Sequence, residues 1–360
     1  MKIAIILGTR PEIIKMSPIV RECERLNLDY FILHAGQHYS YGLNDVFFEK
    51  LGLPEPRYNL GSGSGSHAAQ TAKILIGAEK VLSKDTPDMV LVEGDTNTVL
   101  AGALAAAKLH IKVGHVEAGL RSYNRRMPEE INRVLTDHCA DYLFAPTAGA
   151  RNNLLGEGIS SDRIYVTGNT IVDAIHQNLD IARKKGDALS TLRLAPSEYF
   201  LVTLHREENV DDPKRLASII KGLDRVASEF HLPVVYPIHP RSRKMLTRFR
   251  LEPQNLKLIE PLDFLDFLQL EGNARLILTD SGGVQEEACI LGVPCVTLRD
   301  DTERPETIAV GANVLAGAAP SKIVQGTHLM LGRERNWLNP FGDGTAGRQI
   351  VKIITGAERG

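Results

Sequence analysis

Cysteine is scarce in this chain, with four in 360 residues: Cys23, Cys139, Cys289 and Cys295. A disulfide scaffold needs far denser cysteine, and no His/Cys/Asp set has zinc spacing, so no metal is expected. Cys289 and Cys295 read as small buried hydrophobes. The same scarcity points to a reduced, cytoplasmic setting. Long apolar runs are also missing. The run at residues 3–7 stops at Gly8-Thr9-Arg10, too short for a signal-peptide core or a membrane span. No excess of either charge exists: 42 Lys and Arg stand against 44 Asp and Glu, a formal net charge of -2. That balance argues against nucleic acid or an anionic membrane as a partner held by bulk charge. Neither a GxxxxGK[ST] loop nor a GxGxxG fingerprint occurs, so neither ATP hydrolysis nor a bound nicotinamide is indicated, and no cofactor is expected.

What is present is a globular composition, 43% hydrophobic and 24% charged, in a chain long enough for about two domains. Short apolar runs alternate with longer amphipathic ones. Strands are expected at 2–7, 30–34, 89–92, 112–116, 142–145 and 163–166, then at 199–203, 234–237, 256–259, 276–279 and 295–298. Helical patterns lie between them at 12–25, 67–81, 98–110, 129–139, 171–185 and 213–230. Strands apolar on both faces and alternating with helices indicate parallel sheets covered on each side. The expected fold is α/β, two doubly wound halves facing one another. The Gly-Ser tract at 61–66 follows no expected strand and reads as a flexible surface loop.

Ligands of parallel α/β sheets bind beyond the carboxyl ends of the strands, so the residues just after each strand are the informative ones. In the first half these are Gly8-Thr9-Arg10-Pro11-Glu12 with Lys15, then Glu93-Gly94-Asp95-Thr96, and His115-Val116-Glu117-Ala118-Gly119. In the second half they include His205-Arg206-Glu207, His239-Pro240-Arg241, Asp280-Ser281-Gly282-Gly283 and Arg299-Asp300-Asp301-Thr302-Glu303-Arg304. At 276–287 a buried strand ends in Ser281-Gly282-Gly283 and a helix begins. Glycines admit a ligand to the backbone, and the free N–H groups of a helix start suit a diphosphate. Glu286 or Glu287 in the opening turn can accept hydrogen bonds from a ribose diol. Ordinary helix capping by Ser281 is the alternative. Asp95, Glu117 and Glu129 show no obvious basic neighbour at helix spacing; Asp95 and Glu117 each end an apolar strand, where partial desolvation raises a carboxyl pKa and equips it for proton transfer. Glu129 follows Pro128, a pairing that any helix start favours. His205 and His239 are either catalytic or structural. Arg10, Lys15 and Arg304 either neutralise phosphate or simply face solvent.

Taken together in order, these segments resemble the non-hydrolysing UDP-N-acetylglucosamine 2-epimerases. Pro128-Glu129-Glu130 with Asn132-Arg133, Val166-Thr167-Gly168-Asn169-Thr170, His205-Arg206-Glu207-Glu208-Asn209 and Asn339-Pro340-Phe341-Gly342-Asp343-Gly344 extend the likeness nearly end to end. The resemblance implies two Rossmann-like doubly wound domains facing a central cleft, a GT-B-type glycosyltransferase-like fold. The N-terminal domain would span 1–170, the connection 171–196 and the UDP-binding domain 197–344, with a final helix at 345–360 crossing back. It also implies a homodimer that interconverts UDP-GlcNAc and UDP-ManNAc for surface polysaccharide synthesis, by eliminating and re-adding UDP through a 2-acetamidoglucal. Carried over by position, Asp95, Glu117, Glu129 and His205 are the catalytic residues. Arg10 and Lys15 contact the nucleotide sugar, and Ser281, Gly282 and Gly283 cradle the diphosphate. Glu287 holds the ribose, Arg304 is the second-domain arginine and Phe267 lies near the uracil.

One departure concerns a second UDP-GlcNAc site that many bacterial members carry. Gln37 and His239 are kept, but Ser40 and Ala69 (just before Gln70) replace other residues of that site, so altered or absent activation by UDP-GlcNAc is expected. A hydrolysing epimerase, a glycosyltransferase and a catalytically silent nucleotide-sugar sensor are the alternatives to the implied activity.

Overall fold

The computed structural model describes residues 1–36, 47–185 and 188–356. Gln37 and Ser40 lie outside the described residues. The chain divides into two units, Met1–Gln177 with Phe341–Gly360, and Asn178–Pro340.

In the first unit, β1 (Lys2–Leu7), β2 (Asp29–His34), β3 (Tyr58–Asn59), β4 (Met89–Glu93), β5 (Lys112–Val116), β6 (Tyr142–Ala145) and β7 (Ile164–Val166) form one sheet. Among the described residues its order is β3-β2-β1-β4-β5-β6-β7, with every pairing parallel. All five residues of β4 are buried, as a strand covered on both faces requires. On one face Ala4, Ile6, Val90, Val92 and Val113 pack with Val99, Ala103 and Ala106 of helix Asn97–Lys108. The chain returns to this unit as helix Ala346–Thr355. No side chain of its own caps that helix. Asp173 does so instead, accepting the N–H groups of Ala346 (3.2 Å) and Gly347 (3.0 Å).

The second unit repeats the plan. β8 (Phe200–Thr203), β9 (Val234–Pro237), β10 (Leu256–Ile259), β11 (Leu276–Thr279), β12 (Cys295–Thr297) and β13 (Asn313–Leu315) pair in parallel in the order β10-β9-β8-β11-β12-β13. Phe200, Val202, Val234, Tyr236, Leu276 and Leu278 bury against Leu216, Ile219, Leu223 and Val226. These last four are the apolar stripe of helix Pro213–Phe230, whose start is set by Pro213 and by Asp212 accepting from Lys214 N at 2.8 Å. Upstream, Ala188, Leu192 and Leu194 pack with Tyr199, Val235 and Leu270.

Two strands escape a periodicity argument, β3 and β13, because two or three residues are too few to show a period. Their pairing with β2 and β12 makes them strands. The Gly-Ser tract departs further from the sequence expectation. It directly follows β3, and it is anchored rather than loose. Ser62 N donates to Ala35 O and Gly63 N to Gly36 O, both at 2.9 Å, while Lys73 Nζ reaches Gly61 O at 2.8 Å. Ser66 then caps helix His67–Asp85. Composition suggested a loose loop; backbone pairing ties its first half to the chain leaving β2.

In each sheet the strand order reverses beside the first strand, at β1/β4 and at β8/β11. Loops leaving those strands diverge there, which is where doubly wound sheets bind ligands.

Candidate active site

The first unit's switch point gathers carboxylates around one lysine. Lys15, on helix Arg10–Arg25 after β1, pairs with Glu117 after β5 and lies 3.1 Å from Glu93 at the end of β4. Glu117 is buried and sits at φ +68°, in the left-handed region. For a non-glycine residue that costs roughly 1 kcal/mol, a strain typical of functional positions. Asn169 Nδ2 donates to its second oxygen at 3.4 Å. Two residues beyond β4, Asp95 pairs with Arg133 on helix Pro128–Cys139, and Arg133 also holds Glu130 at 2.5 Å. Glu130 in turn accepts the N–H groups of Ser122 and Tyr123, each at 2.9 Å. Burial raises the Asp95 carboxyl; Arg133 opposes the shift, and Glu117 adds to it.

Structure thus supplies the basic neighbours that helix spacing does not reveal: Arg133 for Asp95 and Lys15 for Glu117. It also gives weight to two carboxylates, Glu93 and Glu12, that the sequence reading noted beside the strand ends without assigning them a role. Glu93 is almost fully buried, and its carboxyl stays well above the usual range through desolvation, which Lys15 reduces and Glu117 reinforces. Glu12 is buried too, accepts Gly8 N at 2.5 Å, and is pushed by burial to about 7. The available signal was an acidic residue closing an apolar strand (Glu93) and one directly before the apolar pair Ile13-Ile14 in a helix's first turn (Glu12).

Asp95, Glu117 and Lys15 are therefore brought together. Glu129 is not joined to them by any ion pair among the described residues; it is exposed in the first turn of helix Pro128–Cys139. Arg10 is exposed as well, its guanidinium 5.8 Å from the Phe47 ring centre. Behind the cluster, His115 bridges Asp137 Oδ1 (Nδ1, 2.7 Å) and Gly94 O (Nε2, 2.8 Å), and Arg121 pairs with Asp137 at 2.7 Å. This buried brace fixes the turn that carries Asp95. Gln70 and Ala69 lie near the start of helix His67–Asp85, where Gln70 Oε1 accepts Asn97 Nδ2 at 2.8 Å.

In the second unit Asp280 organises the switch point. It is fully buried and accepts the backbone N–H of His205 (3.0 Å) and Arg206 (2.9 Å) together with Asn209 Nδ2 (3.1 Å). Its carboxyl lies 3.2 Å from His205 Nδ1. Burial alone would raise this carboxyl, but those donors, His205 foremost, hold it below its ordinary value. The His205 ring, half-exposed, keeps Nε2 for other partners. His239 is exposed 5.9 Å away, ring centre to ring centre, and its Nδ1 accepts Arg241 N at 3.2 Å, so its proton is on Nε2. Burial first, then the neighbouring His205 and Arg241, lower its pKa.

Ser281 caps helix Gly282–Ile290, its hydroxyl accepting Val284 N at 3.4 Å. Capping and ligand binding are compatible here, because the first-turn N–H groups of Gly282 and Gly283 precede any intrahelical acceptor. Gly282 is required sterically: a Cβ there would lie 2.4 Å from Glu303 Oε1. Glu303 cannot yield freely, since Arg206 and Arg299 each hold it at 2.6 Å. Arg304 Nε pairs with buried Glu286 at 3.1 Å, which leaves Glu287, half-buried, as the carboxylate at the surface of this helix. Phe267, on helix Phe264–Asn273, packs partly buried beside Val284 and Ala288. Cys289 and Cys295 are buried free thiols, and burial pushes Cys289 up to about 12, where it is inert. No described helix is long and apolar enough to cross a membrane, and no group of three or more metal-binding side chains occurs among the described residues.

The profile of the family described as UDP-N-acetylglucosamine 2-epimerase matches residues 21–355. The chain is 57% identical over 362 residues, 99% of each chain, to the UDP-N-acetylglucosamine 2-epimerase of Methanocaldococcus jannaschii. It is 44% identical over 359 residues, 98% of this chain and 99% of the relative, to the UDP-2,3-diacetamido-2,3-dideoxy-D-glucuronate 2-epimerase of Pseudomonas aeruginosa. The structure matches the crystal structure of the Methanocaldococcus jannaschii UDP-GlcNAc 2-epimerase in complex with UDP-GlcNAc and UDP, with a TM-score of 0.87 at 57% identity over 99% of both chains.

Proposed function

The chain belongs to the UDP-N-acetylglucosamine 2-epimerase family, and from that premise we propose that it interconverts UDP-GlcNAc and UDP-ManNAc without releasing free sugar. In the proposed reaction the C1–O bond breaks, UDP leaves with the electron pair, and a carboxylate takes the C2 proton, giving a 2-acetamidoglucal. UDP oxygen then re-forms the bond at C1 while a proton is delivered to the opposite face of C2. The observation that carries this reading is the gathering of Asp95, Glu117 and Lys15 at the ends of β4, β5 and β1.

Two requirements support it. The C2 hydrogen is weakly acidic, so the chemistry needs carboxylates that stabilise a cation-like C1 and accept a proton. Asp95, with its raised carboxyl, and Glu117, paired with Lys15, are such groups. The leaving diphosphate needs fixed positive potential. The N–H groups at Gly282 and Gly283, His205 Nε2 and Arg304 supply it, with Arg10 as a further cation. Glu287 takes the ribose hydroxyls, Phe267 the uracil edge, and Glu129 completes the catalytic carboxylates. We place the activity in the cytoplasm, in a homodimer that feeds surface polysaccharide synthesis.

Incubation with UDP-GlcNAc in deuterated water, followed by proton NMR, tests the proposal. Deuterium at C2 in a UDP-GlcNAc/UDP-ManNAc mixture is expected. Accumulating free ManNAc would mean hydrolysis, and an unexchanged C2 hydrogen would mean a sensor. Exchange only with a substrate bearing a 3-acetamido group and a C6 carboxylate would move the chain to the activity named for the Pseudomonas relative.

A further inference from the structure

Helix Phe264–Asn273 carries Phe267 and, one turn later on the same face, Glu271. Glu271 is fully buried, and neither of its oxygens finds an N–H or hydroxyl donor among the described residues. Such a group is costly unless something in the site uses it. What it faces is the Glu287 carboxyl on helix Gly282–Ile290. Among the described residues, the other ionisable groups close to it are Tyr199 and Cys295, both kept neutral by burial, and the Tyr199 hydroxyl is spent on Leu270 O at 2.5 Å. None of these three neighbours is a cation. Two carboxyls in contact do not both ionise when one of them is shut off from water, so the pair holds one proton. It belongs to the more deeply buried member, whose carboxyl desolvation pushes well above its ordinary value.

We propose that Glu271 is a positioning residue: as a neutral acid it donates its O–H to the Glu287 carboxylate and fixes the direction in which Glu287 offers its remaining lone pairs to the ribose diol. The inference rests on the reading of Glu287 as the ribose ligand. It gives the nucleotide half of the site a preset acceptor, with Phe267 on the same helix as Glu271 setting the place of the base. A carboxylate held this way loses little freedom on binding, which is how preorganisation raises affinity.

Calorimetric titration of the full-length protein with UDP and with 2′,3′-dideoxy-UDP tests this, with thermal unfolding to verify folding. Glu271→Leu keeps the apolar packing and removes the donor; it should weaken UDP binding by roughly tenfold and leave dideoxy-UDP nearly unaffected. Glu271→Gln retains an N–H donor and should restore UDP affinity to within about threefold of wild type. Glu287→Ala should abolish the discrimination between the two nucleotides. Equal weakening of both ligands in Glu271→Leu would mean a merely structural role and overturn the proposal. So would unchanged UDP binding in that variant while Glu287→Ala loses discrimination. Should Glu287→Ala still discriminate, the ribose assignment itself fails and takes the proposal with it.

Discussion

Replacing Glu12 by glutamine should stabilise the first unit by an amount that grows with pH. Glu12 is 2% exposed and hydrogen-bonded by Gly8 N, and burial lifts its carboxyl from 4.5 to about 7. The folded protein therefore keeps a proton that the unfolded chain has already lost, and between those values stability falls as pH rises. At about 1.36 kcal/mol per pH unit, the full penalty is about 3.4 kcal/mol, of which roughly 2.5 kcal/mol accrues between pH 5 and pH 8. Glutamine is neutral throughout, and its carbonyl can still accept Gly8 N. Glu93 shifts in the same direction, through burial first and least through Glu12, so losing that neighbour slightly eases Glu93 as well and adds to the variant's advantage at the higher pH. Differential scanning calorimetry at pH 5 and pH 8 reads the effect: the variant's advantage should widen by about 5–10 °C across that interval for a unit of this size. An advantage equal at both pH values would show that Glu12 is already ionised in the fold at pH 5 and refute the reasoning.

Asp95→Asn and Glu117→Gln should each lower turnover by at least about a hundredfold while UDP affinity, measured by titration, stays close to wild type; loss of UDP binding would assign them structural roles instead. Gly282→Ala pushes a methyl against Glu303, which Arg206 and Arg299 hold in place, so UDP binding should weaken by about tenfold or more and the melting temperature should fall as the helix start shifts to relieve the clash. Asp280→Asn offers an amide where two backbone N–H groups already donate, and should cost about 3 kcal/mol in chemical denaturation, together with the orientation of His205. Activation by UDP-GlcNAc is expected to be altered or absent; strongly sigmoidal kinetics with UDP-ManNAc, relieved by trace UDP-GlcNAc, would contradict that.

The local features of the chain were legible in one dimension. Apolar runs such as 89–92 and 276–279 became strands within a residue because burial on both faces leaves an uninterrupted apolar signature. The turn after each strand could be read for the same reason, so Asp95, Glu117, His205 and Ser281-Gly282-Gly283 were found where a doubly wound sheet presents its ligands. Helix ends were less sharp: helix His67–Asp85 runs four residues past its expected end, until Thr86 takes a left-handed conformation. The anchored Gly-Ser tract was misjudged because its partners, Ala35 and Gly36, are more than twenty residues away.

Strand positions, sheet class and the residues at the strand ends were thus set by patterns spanning ten or twenty neighbours, which any folded form of this chain must respect. Which carboxyls keep a proton was decided elsewhere. Lys15 meets Glu117 across 102 positions and Arg133 meets Asp95 across 38, and Glu12, Glu93 and Glu271 owe their raised carboxyls first to burial. Desolvation and charge pairing depend on everything packed around a group, so only the assembled fold can supply them.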